Sequence, residues 1–180
     1  RKSFLPIILT ETNSNGLITT ELSPLISSKA YDVLYFKNPL NHPILSGETE
    51  VIVNGKLIGS YISPRFSEEE SISIPLGIND GVKLTKTVDQ QNDIDRKNKQ
   101  VNLKVTYDIE NFNNYELNIK LIERIPYSRS NDITVKNISN SKNSTFDEID
   151  NSIIWRYNLE ANKKESNTFS YEVVYPIKSS

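Results

Sequence analysis

Val101-Asn102-Leu103-Lys104-Val105-Thr106-Tyr107-Asp108-Ile109-Glu110 alternates apolar and polar residues without a break. A period of two belongs to an extended chain with side chains on opposite faces, so Val101, Leu103, Val105, Tyr107 and Ile109 share one face of a strand. After Asn113-Asn114 the pattern resumes in Tyr115, Leu117, Ile119 and Leu121. Asn tolerates left-handed backbone angles and suits a turn. The two runs predict a long antiparallel hairpin with one dry and one wet face.

The rest of the chain speaks the same way. Asn54-Gly55, flanked by Val51-Ile52-Val53 and by Leu57, Ile58 and Tyr61, is the preferred pair for a type I′ turn and predicts a second hairpin. Ile72, Ile74 and Leu76 alternate with Ser71, Ser73 and Pro75, and Pro75 lacks a ladder donor, which places that strand at an edge. Asp80-Gly81 is a further tight turn leading into Val82, Leu84 and Val88. Ile153, Trp155, Tyr157 and Leu159, then Phe169, Tyr171, Val173 and Tyr175, read as a third strand pair joined by the polar residues 162–167. Phe4–Leu9, Leu17–Leu22 and Tyr31–Phe36 are expected strands, with a short helix over Lys29–Phe36 as the alternative. Asp89–Lys99 and Ser139–Asp150 are polar enough to be expected as surface loops, the latter anchored only by Phe146 and Ile149. There is no repeat period, long amphipathic helix or coiled-coil heptad pattern.

The composition agrees and excludes several function classes. Only two of the 180 residues are alanine (Ala30 and Ala161), while Ile, Val, Thr and Tyr, which favour pleated surfaces, are plentiful. Lys+Arg number 21 against 23 Asp+Glu, a net charge of -2, so phosphate attraction cannot dominate and nucleic acid is not an expected partner. The absence of Cys removes thiol catalysis, disulfides and thiolate metal sites. No apolar run approaches the ~18–20 residues that cross a bilayer and no signal-peptide pattern opens the chain, so membrane insertion is not expected. The sequence starts at Arg1 and contains no Met, which reads as a piece of a longer protein with localisation signals outside it.

Each residue set with chemical potential has an ordinary structural reading beside it. His42, the single histidine, sits in Asn38-Pro39-Leu40-Asn41-His42-Pro43, a proline-bracketed turn with no nucleophile or orienting carboxylate announced. Glu68-Glu69-Glu70 precedes an apolar strand, where repelling like charges point into solvent and guard an edge; an acid–base pair needs two differently polar environments. Asp89, Asp93 and Asp95 could offer oxygen ligands, but their spacing is not that of a Ca²⁺ loop. Gly47, Gly55, Gly59, Gly77 and Gly81 are scattered at turns and strand ends and form no phosphate cradle. Asn137-Ile138-Ser139 and Asn143-Ser144-Thr145 match the glycosylation acceptor pattern, which matters only in a eukaryotic secretory route. The aromatics Tyr107, Tyr115, Trp155, Tyr157, Phe169, Tyr171 and Tyr175 fall in phase with aliphatics, so most of them are expected to fill the core between two sheets rather than stack on sugars. No catalytic, cofactor or metal site is therefore expected.

An ordered series of short segments resembles a known family. Asn38-Pro39-Leu40-Asn41-His42-Pro43-Ile44-Leu45-Ser46-Gly47 is similar to its Asn…Pro-Leu-Leu-Pro-Gly opening, and Val51–Gly59 resembles its Val-Phe-x-Asp/Asn-Gly-x-x-Val-Gly hairpin. Ile74–Lys83 stands where the family has Leu-Gly-Val-Asp-x-x-Val-Lys. Ile109-Glu110-Asn111 and Glu123-Arg124-Ile125-Pro126-Tyr127-Ser128 match Val-Glu-Asn and Asp-Gln-Ile-Pro-Val-Ser, and the chain closes on Phe169–Pro176 as the family does. The family is the C-terminal β domain of the mucoidy-inhibitor-A-like proteins, a domain-of-unknown-function family, and the likeness covers about residues 30–178. It implies a domain that follows an N-terminal β domain and a coiled coil, with no catalytic residues, cofactor or substrate to carry over. The chain departs from it at Ser46 and at Glu123-Arg124.

The sequence thus predicts an all-β antiparallel sandwich, with an N-terminal β lobe over residues 1–100 and an immunoglobulin-like lobe over residues 101–180, either separate or packed as one domain. The expected function is a non-enzymatic structural or interaction module of a larger bacterial envelope-associated protein. Its partners would be other domains of that protein or another protein, met through sheet edges. The alternatives are a carbohydrate- or ligand-binding sandwich and, behind it, a carboxylate-dependent hydrolase using Glu68–Glu70 or Asp89–Asp95.

Overall fold

A computed structural model of the chain describes residues 10–94, 98–130 and 132–176. The expected strand over Phe4–Leu9 and the acid Asp95 lie outside these residues. Among the described residues every regular element is a strand, and the sheets are built largely of antiparallel pairs, with one parallel pairing. The protein is all-β.

The described residues form two compact units: one holds those up to Ile18 and Val33–Gly77, the other Thr19–Asp32 and those from Ile78 to Pro176. The first unit contains the opening of β1 (Gly16–Leu22), most of β2 (Ala30–Lys37) and β5 (Ser71–Ile78), with β5 outermost as Pro75 requires. The segment Lys29–Phe36 is therefore strand from Ala30 onward, not helix. β3 (Gly47–Val53) and β4 (Lys56–Ser63) make a separate two-stranded ribbon. Its turn is the predicted one: Asn54 and Gly55 both have positive φ, 50° and 76°, and Val53 faces Lys56 across it.

The second unit is a sandwich. One sheet runs β6 (Val82–Ile94), β7 (Asn98–Asn111), β12 (Lys164–Pro176), β9 (Thr134–Asn140). The other runs β10 (Ser144–Asp147), β11 (Ser152–Leu159), β8 (Leu117–Arg124), followed by the ends of β1 and β2 that belong to this unit. β1 pairs with β8 in parallel, Thr20 opposite Ile119 and Leu22 opposite Leu121. Between the layers lies one apolar core, with Tyr107, Ile109, Leu121, Ile153 and Trp155 fully buried and Leu22, Val105, Ile119 and Phe169 nearly so. Phe169 sits at its centre, its ring 6.4 Å from Tyr107, 6.1 Å from Trp155 and 5.9 Å from Tyr171.

Two expected hairpins open across this sandwich. β7 and β8 carry the period-two burial read from sequence, yet β7 pairs with β6 and β12 while β8 pairs with β11. β11 and β12, expected to pair with each other, likewise stand in opposite sheets. Each of these four strands buries one face, and a short polar turn lets the next strand bury its own against it from the facing layer as readily as beside it in the same layer.

Both expected loops also contain strand. Asp89–Ile94 continues β6, with Asp89 opposite Lys104 and Asp93 opposite Gln100. This part of β6 is wet on both faces, so ladder hydrogen bonds hold it without apolar alternation. Within Ser139–Asp150, β9 ends at Asn140 and β10 forms an edge strand on β11, Phe146 opposite Ile153. The expected division at residue 100 falls inside the β6–β7 ladder, where Asp93 faces Gln100; the compact units divide at 18/19, 32/33 and 77/78 instead.

Candidate functional site

The residues weighed for chemistry do not converge. His42 is exposed, its Nδ1 3.2 Å from the Pro43 carbonyl oxygen. Glu68, Glu69 and Glu70 are exposed; Glu70 accepts the Ser67 N–H at 2.5 Å and closes the turn, while Glu69 meets Lys37 at 3.6 Å in solvent. Asp89 and Asp93 lie exposed on β6. Among the described residues no three His, Asp or Glu side chains are placed to hold a metal ion. Gly47, Gly59 and Gly77 lie within strands and Gly81 closes a turn. Asn137 lies on β9 and Asn143 in an exposed turn at φ 61°.

The asparagines of the shared segments are occupied differently. Asn38, 3% exposed, donates from Nδ2 to the His42 and Ser67 carbonyls at 3.1 and 2.9 Å and accepts the Leu40 N–H at 3.0 Å. The Pro39–Pro43 loop is wound around this one side chain. In the sandwich unit Asn111, fully buried, donates to the carbonyls of Tyr115, Leu159 and Glu160 at 2.9–3.1 Å. Its Oδ1 accepts both the Asn113 N–H and the Asn113 Nδ2. Asn113 reaches on to Asn79 Oδ1 at 3.1 Å, and Asn79 donates to both carboxylate oxygens of Asp32, which also accepts Thr20 Oγ1–H at 2.7 Å. Gly81 lies against this network: a Cβ there would strike the Asn113 amide. One connected set of polar side chains thus satisfies the backbone at the turns where the chain changes sheets.

Sequence reasoning missed the buried acid. Glu123, 5% exposed, accepts the Tyr107 phenol O–H on Oε2 and the Arg124 N–H at 2.7 Å on Oε1. The signal was present: Glu123 is in phase with Leu117, Ile119 and Leu121, so β8 points a carboxylate into the sandwich. The Tyr107 phenol is held far above its ordinary range, first by burial and then by this hydrogen bond. Lys86 Nζ lies 5.6 Å from the centre of the same ring. With both its oxygens engaged, the carboxylate acts as a cross-link between the facing sheets, from β8 to β7.

Beyond Glu123 the two layers differ in length. β6, β7 and β12 run 13, 14 and 13 residues, β8 and β11 only 8 each. The overhang forms an open groove of about 580 Å³ floored by Val101, Leu103 and Val173 and bordered by Lys99, Tyr127, Tyr171 and Tyr175. Burial raises the Tyr171 phenol above its usual value, helped by the charge of Glu123 and by Tyr175. Trp155 takes no part in the groove: it is buried, with Nε1 donating to Ser141 Oγ at 2.9 Å. Tyr115 is not among the aromatics that fill the core: it is 53% exposed.

A family model described as a domain of unknown function (DUF4139) matches residues 7–177 of the chain. No curated protein matches the sequence.

Proposed function

The chain belongs to the DUF4139 family of domains of unknown function, and from that premise we propose that it is a non-enzymatic β module that supports and joins parts of a larger protein. The observation that carries this is the use made of the shared segments. Asn38, Asn79 and Asn111 are spent on closing loops, and Glu123 on tying the two sheets together. The short segments shared with the mucoidy-inhibitor-A-like proteins support placing the domain in a bacterial, envelope-associated protein of that kind. The two sheets packed around the buried Trp155 support an immunoglobulin-like description of the sandwich. Outermost strands β5, β6, β9 and β10 offer edges to which a partner strand can add.

Size-exclusion chromatography of the domain with the separately produced remainder of its parent protein tests the reading. Stoichiometric co-elution is expected. Turnover in a broad hydrolase panel that disappears on substitution of Glu123, with no complex formed, would replace it with an enzymatic one.

A second reading, binding of a carbohydrate or another small ligand, is favoured by the groove, which sets Tyr127, Tyr171 and Tyr175 around an apolar floor. On a glycan array it requires retention that Tyr127→Ala and Tyr175→Ala abolish.

A further inference from the structure

The β3–β4 ribbon has two unlike faces. Cross-strand partners share a face, which puts Thr49, Val51, Tyr61 and Ser63 on one side, where they are half-buried or buried and Thr49 Oγ1 donates to Ser63 Oγ at 2.9 Å. The other side carries Ile52 opposite Leu57 and Ile62 opposite Glu48, with Glu50 opposite Ser60 between them. On this side Ile52, Leu57 and Ile62 are 59%, 55% and 74% exposed. Glu48 and Glu50 are exposed too and form no ion pair among the described residues. Lys56 stands on the opposite side, beside the turn.

A two-stranded ribbon is marginal in water by itself, and this one leaves an aliphatic face uncovered. We propose that this face is a docking surface for an amphipathic helix whose apolar stripe is bordered by lysines and arginines. The proposal rests on the reading of the domain as an interaction module and names one surface and the chemistry of its partner. Charge complementarity selects the basic border, because the only charges among the three aliphatic anchors are the two carboxylates. The same carboxylates oppose an anionic lipid surface. Geometry selects a helix: a strand adds to an edge, whereas these side chains stand on a face. Leu57 and Ile62 are five residues apart on β4, roughly 16 Å at strand rise, which a helix spans with about eleven residues, or three turns.

The test uses the intact domain and a fluorescently labelled synthetic helical peptide of about 18 residues, long enough to hold a helix, with leucines at i, i+4, i+7 and i+11 bordered by lysines. A twin peptide carries glutamates at the border. Fluorescence anisotropy should show the lysine peptide binding at least tenfold more tightly than its twin, with the difference shrinking as salt rises. Ile52→Asp should weaken binding at least tenfold while circular dichroism shows the fold intact. The double variant E48K/E50K should reverse the preference and favour the glutamate peptide.

Equal binding of both peptides, or binding that neither Ile52→Asp nor the charge reversal changes, would overturn the proposal. So would retention on phosphatidylglycerol vesicles, or self-association in analytical ultracentrifugation, if Ile52→Asp abolished it while the peptides failed to bind. These outcomes leave co-elution with the rest of the parent protein untouched, so failure here is distinguishable from failure of the broader reading.

Discussion

Asn111 bears more of the fold than its size suggests. Its single amide, itself fully buried, serves three carbonyls on two different connections, and its oxygen serves Asn113. Asn111→Ala removes the donor to these carbonyls, leaves the buried Leu159 carbonyl without it, and is expected to cost about 1–3 kcal/mol in unfolding free energy by urea titration. Two phenols, one fully and one partly buried, set a second outcome. Tyr157, pushed up to about 12 by burial from the ordinary 10.0, and Tyr107, pushed further, stay protonated in the fold at pH values where the unfolded chain ionises. The unfolded state then binds fewer protons, so stability is complete below pH 10 and falls as pH rises from there, Tyr157's share being spent near pH 12. Each contributes a slope of up to about 1.4 kcal/mol per pH unit. Urea midpoints measured between pH 9 and 12 should fall, and fall less steeply in Tyr157→Phe.

At the scale of the element, the β3–β4 turn offers the cleanest perturbation. Gly55 has open space around the position of a Cβ, so Gly55→Ala meets no clash and pays only for positive φ. About 1 kcal/mol is expected, seen as faster hydrogen exchange of the ribbon amides with the sandwich unaffected. The same turn shows what could be read from sequence. Asn54-Gly55 fixes its own geometry within two residues, and the alternation in Val101–Glu110 fixes which side chains are buried. Partnership is not local in that way. Leu121 lies beside Trp155, and Val105 beside Phe169, because of how the turn at Asn111 is tied, and the atoms that tie it come from Leu159 and Glu160. The candidate site was legible to the same degree: Glu123 was in phase with its apolar neighbours, but its phenol partner comes from the other sheet.

At the scale of the whole molecule, the sandwich draws Leu22 and Ala30 from the segment Thr19–Asp32, and its edge strand β6 begins at Val82. A fragment of residues 101–180 therefore lacks an edge strand and part of the core. It is expected to give no cooperative melt and a collapsed NMR spectrum, whereas residues 10–180 should give a single dispersed one; a well-folded 101–180 fragment would contradict this division. The parallel pairing of β1 with β8 carries a temporal cost as well. Glu21 and Lys120, side by side with Nζ 3.3 Å from Oε1, are separated by 99 residues of chain. At ribosomal speeds of roughly 5–20 residues per second, the nascent β1, with β2 close behind it, waits about 5–20 s for β8 on its other side to be synthesised. Through that interval Leu22 lacks most of the side chains that bury it, and a chaperone that shelters short aliphatic segments has a window in which to act.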